Sequence, residues 1–278
     1  MAGNRRTVLG AALAAGTLAA TGTVRVAFAQ ESGPVIEQIR RRGAMRVGLA
    51  TFMPWVMRDR NGELIGYEID VANRLARDLG VKVEFVPTAW DGIIPALQSG
   101  RFDLIIGGMT PTPQRRESID FTEPYSYTGI GMVANSTIAG GRNKVSDFDA
   151  PNVTIAMRRG VAAVADVQKQ MPKAQIVFFD DDAPAILEVL NGKAHAYVGS
   201  EPKPTFAFLD NRAVLYKPLD RFIADSFEAM GLRKGDPETQ KVLNAWIAER
   251  FKDGFLKDRR TYWFATRDWL KQLPDGAK

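Results

Sequence analysis

The sequence predicts an α/β protein of two similar units in series, each a mostly parallel sheet flanked by helices. Three observations carry this expectation. Between residues 45 and 106, short apolar strands alternate with amphipathic helical segments, and strand–helix–strand order at that spacing implies βαβ units with parallel pairing. The same alternation restarts after about Asn135. The chain also has 278 residues, 45% of them hydrophobic and 25% charged. That suffices for one or two domains with real cores, at ~100–200 residues per domain.

Taken in order, residues 45–49 form a short apolar strand, and Arg60-Asn61-Gly62 marks a turn before a second one. Ala72, Leu75, Ala76 and Leu79 fall at i, i+3, i+4 and i+7, the core stripe of a helix closed by Gly80. Val81, Val83 and Phe85 alternate with Lys82 and Glu84, as in a strand with one solvated side. Asp91 is placed to cap a helix carrying Ile93, Ile94 and Leu97 and ending at Gly100, and residues 104–106 follow as a buried strand. In the second unit, strands are expected at 153–157, 176–179 and 196–198, with helices at 161–170 and 185–190. Asp182 would cap the latter helix, with Pro184 in its first turn. A further helix contains Val242, Leu243, Trp246 and Ile247.

The first 29 residues have the layout of a secretory signal peptide: Arg5 and Arg6, an apolar run from 8 to 20, and a small-x-small site at Ala27-Phe28-Ala29. The run is short of the ~20 apolar residues that span a bilayer. Asn4-Arg5-Arg6-Thr7-Val8-Leu9-Gly10 also resembles a twin-arginine signal, with an ordinary signal peptide as the alternative. Cleavage after Ala29 removes three arginines and no acid, lowering the net charge from +5 to +2. Nothing in that balance calls for a nucleic-acid partner. The absence of cysteine excludes a lipid-modified cysteine, disulfides and thiolate metal sites. A periplasmic protein free of the membrane is expected.

The stretch from Trp90 to Tyr125 carries the chemistry. The glycines of Gly107-Gly108-Met109-Thr110 let a ligand approach backbone N–H groups, and Thr110 adds a hydroxyl. Thr112-Pro113 reads as an N-cap with proline at the first helical position. Arg115 then lies in the first turn, where the helix dipole repels a cation, so a bound anion such as a bidentate carboxylate would offset it, with an exposed surface arginine as the alternative. His195 is the only histidine, which leaves neither a zinc site nor a serine–histidine triad in an obvious arrangement. No catalytic residue, metal or cofactor is implied. No GxxxxGK[ST] loop is present, so any ATPase must be another chain.

This stretch closely resembles the first lobe of the periplasmic solute-binding proteins that serve amino-acid ABC importers, bacterial extracellular solute-binding protein family 3. The resemblance runs from about Met45 to Lys278 and is strongest between Val47 and Tyr125. It implies the two-lobed type II periplasmic binding protein fold with two hinge strands. Lobe 1 would comprise residues 30–126 and a return segment, 227–278, and lobe 2 residues 127–226. It implies a monomer that captures a small carboxylate or amino acid and presents it to an inner-membrane ABC permease. Arg115, Gly108 and Thr110 would hold the ligand α-carboxylate, and Phe52 and Trp90 would be aromatic walls against its side chain.

The second lobe departs from the family pattern. Val161 and Ala162 follow Gly160 where the family has two hydroxyl residues, leaving backbone N–H groups there to serve. Ser200 takes the position of the aspartate that meets the ligand ammonium, with Glu201 next in line, and Leu49 replaces an acid present in several relatives. Either Glu201 or one of Asp180 to Asp182 supplies the counter-charge, or the ligand lacks an ammonium. Arg158 and Arg159 would favour a second carboxylate if they face the cleft. The alternative function is an exported dehydratase of cyclohexadienyl carboxylates on the same fold, with Glu201 as proton donor.

Overall fold

The stripe read at Ala72 to Leu79 sets the first layer. In the computed structural model, which describes residues 33–274, helix α1 (Val35–Arg42) and strand β1 (Ala44–Leu49) open the chain. A hairpin of β2 (Met57–Arg58) and β3 (Leu64–Ile65) leads to helix α2 (Tyr67–Leu79) and strand β4 (Lys82–Pro87). Helix α2 buries Val71, Ala72, Leu75 and Ala76 and stops at Gly80, whose φ of 71° turns its N–H back to the Ala76 and Arg77 carbonyls. Helix α3 (Ile93–Gln98), β5 (Leu104–Ile105), α4 (Pro113–Ser118) and β6 (Asp120–Phe121) follow. Strand β1 pairs in parallel with both β4 and β5, as the βαβ pattern requires. The export segment expected at residues 1–29 lies outside the described residues. Among the described residues, no helix is long and apolar enough to cross a membrane.

The second sheet begins with the long strand β7 (Ser126–Asn135). It continues with β8 (Thr154–Arg158), α5 (Ala163–Gln170), β9 (Gln175–Phe179), α6 (Asp182–Leu190), β10 (Ala196–Ser200), α7 (Lys203–Asp210), β11 (Leu215–Tyr216) and β12 (Ala224–Glu228). Its order is β11-β7-β10-β8-β9, with β12 on β7. Strand β13 (Gly231–Leu232) then enters the first sheet, whose order is β4-β1-β5-β13-β6. The sheets share no strand, and each centres a lobe of the type II fold. The chain crosses between them twice, through β7 and β12, which pair antiparallel from Ser126↔Glu228 to Ile130↔Ala224.

Helices α8 (Pro237–Lys252) and α9 (Phe255–Arg260) return to the first lobe. Leu243, Trp246, Trp263 and Trp269 join Leu49, Trp55, Tyr67 and Leu75 in its core. Burying each such side chain contributes about 1.5–3 kcal/mol. Ile130, Phe148, Ile155 and Val198 centre the second core.

Two expected helix caps differ. Asp91 falls inside a 3-10 turn, Trp90–Gly92, and no side chain caps α3. The extra turn moves the helix start past the acid. Asp182 is the first residue of α6 rather than its cap, and its carboxylate accepts a hydrogen bond from the Tyr197 hydroxyl at 2.6 Å.

Candidate functional site

Beyond β5, the chain turns through Gly108 at φ 73°, a left-handed conformation that a side chain rarely adopts. A Cβ there would also stand 3.2 Å from the Trp55 indole. The Thr110 hydroxyl lies 3.2 Å from that of Ser226 on β12. Helix α4 starts as its sequence indicates: Pro113 is at the first position and the Thr112 hydroxyl accepts the Arg115 N–H at 3.2 Å.

That cap aims the Arg115 side chain across the cleft. One guanidinium nitrogen donates to the Thr110 carbonyl at 2.7 Å and the other to the Gly160 carbonyl of the second lobe at 3.0 Å. Trp90 Nε1 donates to the same Gly160 oxygen at 3.2 Å, and the Arg115 guanidinium lies 5.4 Å from the Trp90 ring centre. Gly160 has φ 72°, and a Cβ on it would meet Asp91 Oδ1 at 3.2 Å and Trp90 at 3.5 Å, so the lobes meet tightly here. Burial pushes the Arg115 pKa down to about 10. It is still a cation at neutral pH, and the Thr110 and Gly160 carbonyls and the Trp90 ring are the partners that offset its lost hydration. A carboxylate would do so better.

The second lobe brings Arg158, at the end of β8, to the same place with 6% of its surface exposed. Its Nε donates to the Asp180 carbonyl at 3.1 Å and an Nη reaches the Thr51 carbonyl of the first lobe at 3.5 Å. The guanidinium lies 5.5 Å from the Phe52 ring and 5.8 Å from that of Trp90. Phe52 is itself stacked on Trp55, with ring centres 4.2 Å apart and planes within 3°.

Phe52, Trp90, Thr110, Arg115 and Arg158 therefore form one group, with Gly108 on the adjoining turn. Ala162, half-buried, precedes α5 two residues beyond Gly160. Ser200 ends β10, half-buried. Glu201 is occupied elsewhere: its carboxylate accepts the Thr205 N–H at 3.2 Å, stands 3.9 Å from Lys217 Nζ and packs over Gly131. Arg159 is exposed, 3.5 Å from Asp180. His195 Nδ1 accepts the Thr154 N–H at 3.1 Å, a role within the second sheet. Ser226 and Lys203 escaped sequence reasoning. Lys203, the first residue of α7, has its pKa lowered by burial, with Asp182 opposing and Arg158 adding to the effect. Among the described residues, no group of three or more His, Cys, Asp or Glu side chains is arranged to hold a metal ion.

Two lobes joined by paired crossing strands, with cationic and aromatic groups meeting between them, define a clamp for small solutes. The chain belongs to the bacterial extracellular solute-binding proteins, family 3, whose family model matches residues 45–266. It is 33% identical over 276 residues to a probable amino-acid ABC transporter periplasmic-binding protein, y4tE, of Sinorhizobium fredii, covering 94% of this chain and 86% of that one. It is 29% identical over 245 residues to the L-cystine-binding protein TcyJ of Escherichia coli, covering 85% and 88%. Among solved structures, a putative ABC transporter binding component from Wolinella succinogenes complexed with lysine superposes with a TM-score of 0.77 at 33% identity, covering 83% of this chain and 99% of that one. An ancestral amino acid-binding protein, AncCDT-1, a precursor of cyclohexadienyl dehydratase, gives 0.75 at 36% identity, covering 84% and 100%.

Proposed function

We propose that this protein is the substrate-binding component of an ABC importer. It captures a small carboxylate-bearing solute, an amino acid or related organic acid, in the periplasm by lobe closure. The loaded monomer then delivers it to an inner-membrane permease. Lobe 1 is residues 30–126 with 227–278, lobe 2 is residues 127–226, and β7 and β12 are the hinge. Its family supports the periplasmic setting, which the protein would reach through a leader at residues 1–29 cut after Ala29.

The observation that carries this reading is the Arg115 guanidinium: half-buried, bridging Thr110 of one lobe and Gly160 of the other, with two carbonyls and the Trp90 ring but, among the described residues, no anion as partner. An entering carboxylate takes over the Gly160-facing donor and is held between the lobes. Gly108 and Thr110 complete its contacts, while Phe52 and Trp90 exclude water from them. Calorimetry of the purified protein with amino acids and organic acids tests it. Arg115→Ala should cost at least ~2 kcal/mol, about a 30-fold loss of affinity. Unchanged affinity in that variant would remove Arg115 from the site.

A second reading, a dehydratase of cyclohexadienyl carboxylates, has in its favour the similarity to a precursor of such an enzyme. Its proton donor would be Glu201, yet that carboxylate is engaged by Thr205 and Lys217. Binding without chemistry is the better supported of the two. Incubation with a cyclohexadienyl carboxylate, followed for the ultraviolet absorbance of an aromatic product, separates them.

A further inference from the structure

Arg158 stands where the two aromatic walls would receive a ligand's side chain. Its guanidinium is 5.5 Å from the Phe52 ring and 5.8 Å from the Trp90 ring, close enough for the negative ring faces to attract a cation. The protein thus places its own cation against the walls. An arginine or lysine side chain entering here would have to displace Arg158 or lie against a like charge.

We infer that the cleft selects a ligand with two acidic groups, and that Arg158 binds the second of them and excludes cationic side chains. This rests on the reading of Arg115 as the holder of the first carboxylate. The existing partners of Arg158 leave capacity for an anion. Nε is taken by the Asp180 carbonyl, but the bond from Nη1 to the Thr51 carbonyl is long, at 3.5 Å. The nearest carboxylate, Asp181, is 3.8 Å from Nη2 and its side chain is 63% exposed. Water therefore screens that pair, and it competes weakly with a carboxylate bound by both Nη groups in a closed cleft.

The other charges nearby point the same way. Asp91, beside Gly160, is exposed and screened as Asp181 is. Asp182 is buried, but the Tyr197 hydroxyl holds it at 2.6 Å. Against the buried Asp182 carboxylate stand Arg115, Arg158 and the half-buried Lys203, and Glu201 is matched by Lys217. The buried Glu68 and Glu228 lie beneath the Gly108 turn, where burial raises their pKa and favours the neutral acid. Ser200, at the end of β10, adds a neutral hydroxyl and no negative charge for an ammonium. The balance around Arg158 is therefore positive, which favours a net anion there. Either an acidic amino acid or a short dicarboxylic acid carries the required pair of groups.

The test is titration calorimetry of the mature protein and of Arg158→Ala and Arg158→Lys with glutamate, aspartate, succinate, 2-oxoglutarate, glutamine, arginine and lysine. The wild type should bind one of the acids at least tenfold more tightly than glutamine, arginine or lysine. Arg158→Ala should abolish most of that margin and Arg158→Lys keep part of it, with thermal melts confirming that both fold. Preference for glutamate and aspartate over succinate and 2-oxoglutarate assigns the ligand as an acidic amino acid, and the reverse as a dicarboxylic acid. Tight binding of arginine, lysine or glutamine by the wild type would overturn the inference, as would an unchanged acid-to-amide ratio in Arg158→Ala. If such a ligand still depends on Arg115, the carboxylate-clamp reading survives alone. If nothing in the panel binds, both readings fall.

Discussion

The Tyr125 hydroxyl donates to the Glu68 carboxylate at 2.7 Å, with both residues fully buried in the first lobe. Burial raises the Glu68 pKa well above the ordinary carboxylate range. The Tyr125 and Gly108 hydrogen bonds oppose this, and the neighbouring Glu228 carboxylate adds to it. Glu228, at the end of hinge strand β12 and bonded by the Thr128 hydroxyl at 3.2 Å, is raised for the same first reason. Two buried acids thus lie beneath the Gly108 turn and beside the hinge.

Because the folded-state pKa of Glu68 exceeds its unfolded value, the native state binds more protons in between. The associated stability is complete below the unfolded pKa, near 4.3, and is lost as pH rises through the folded value. Each unit of upward shift corresponds to about 1.4 kcal/mol. Glu68→Gln mimics the protonated acid. It should match the wild type in urea melts at pH 4 and become progressively more stable than it as pH rises. A constant difference across that range would mean that Glu68 is not charging against burial.

Arg115→Lys should bind ligand with an affinity between wild type and Arg115→Ala. An ammonium retains the charge but cannot span the Thr110 and Gly160 carbonyls or present two parallel donors. Calorimetry placing the lysine variant level with wild type would show that charge alone is needed.

Trp90→Phe keeps an aromatic wall and removes one donor to the Gly160 carbonyl across the cleft. One such hydrogen bond contributes about 0.5–1.5 kcal/mol, or roughly 2- to 12-fold in affinity. The loss should fall on ligand dissociation, since closed lobes lose a tie while the open cleft is unaltered. Stopped-flow release measured in both proteins gives the comparison.

Phe206, on α7, packs on Trp269 of the C-terminal segment with ring centres 5.8 Å apart, and Arg267 grips Asp210 with both carboxylate oxygens at 2.6 and 2.8 Å. This contact joins a helix that lies between β10 and β11 of the second sheet to the core of the first. Phe206→Ala should cost about 3 kcal/mol and lower the melting temperature by roughly 6–12 °C. Asp210→Asn, at a partly exposed ion pair, should cost well under half of that.

Much of the fold was legible because its signals are local. The stripe from Ala72 to Leu79, the alternation at Val81 to Phe85 and the Gly80 stop each involve residues within a few positions of one another. The same holds for the Thr112-Pro113 cap that aims Arg115. Local signals also misled: an acid before an apolar run marked Asp91 and Asp182 as caps. A 3-10 turn displaced the first from the helix start, and the Tyr197 hydroxyl engaged the second.

By itself, the sequence determined the two α/β units, the glycine turn and capped helix start from Gly108 to Arg115, and the basic residues beside Gly160. Tertiary structure alone decided that Arg115 and Trp90 share the Gly160 carbonyl and that Thr110 meets Ser226. It also decided that Arg158 lies against Phe52 and Trp90 while Glu201 turns to Thr205 and Lys217. Periodicity and capping act within about a turn of helix or a strand's length. The cleft instead joins positions 45 to 116 residues apart, and their meeting depends on how β7 and β12 pair to set one lobe against the other.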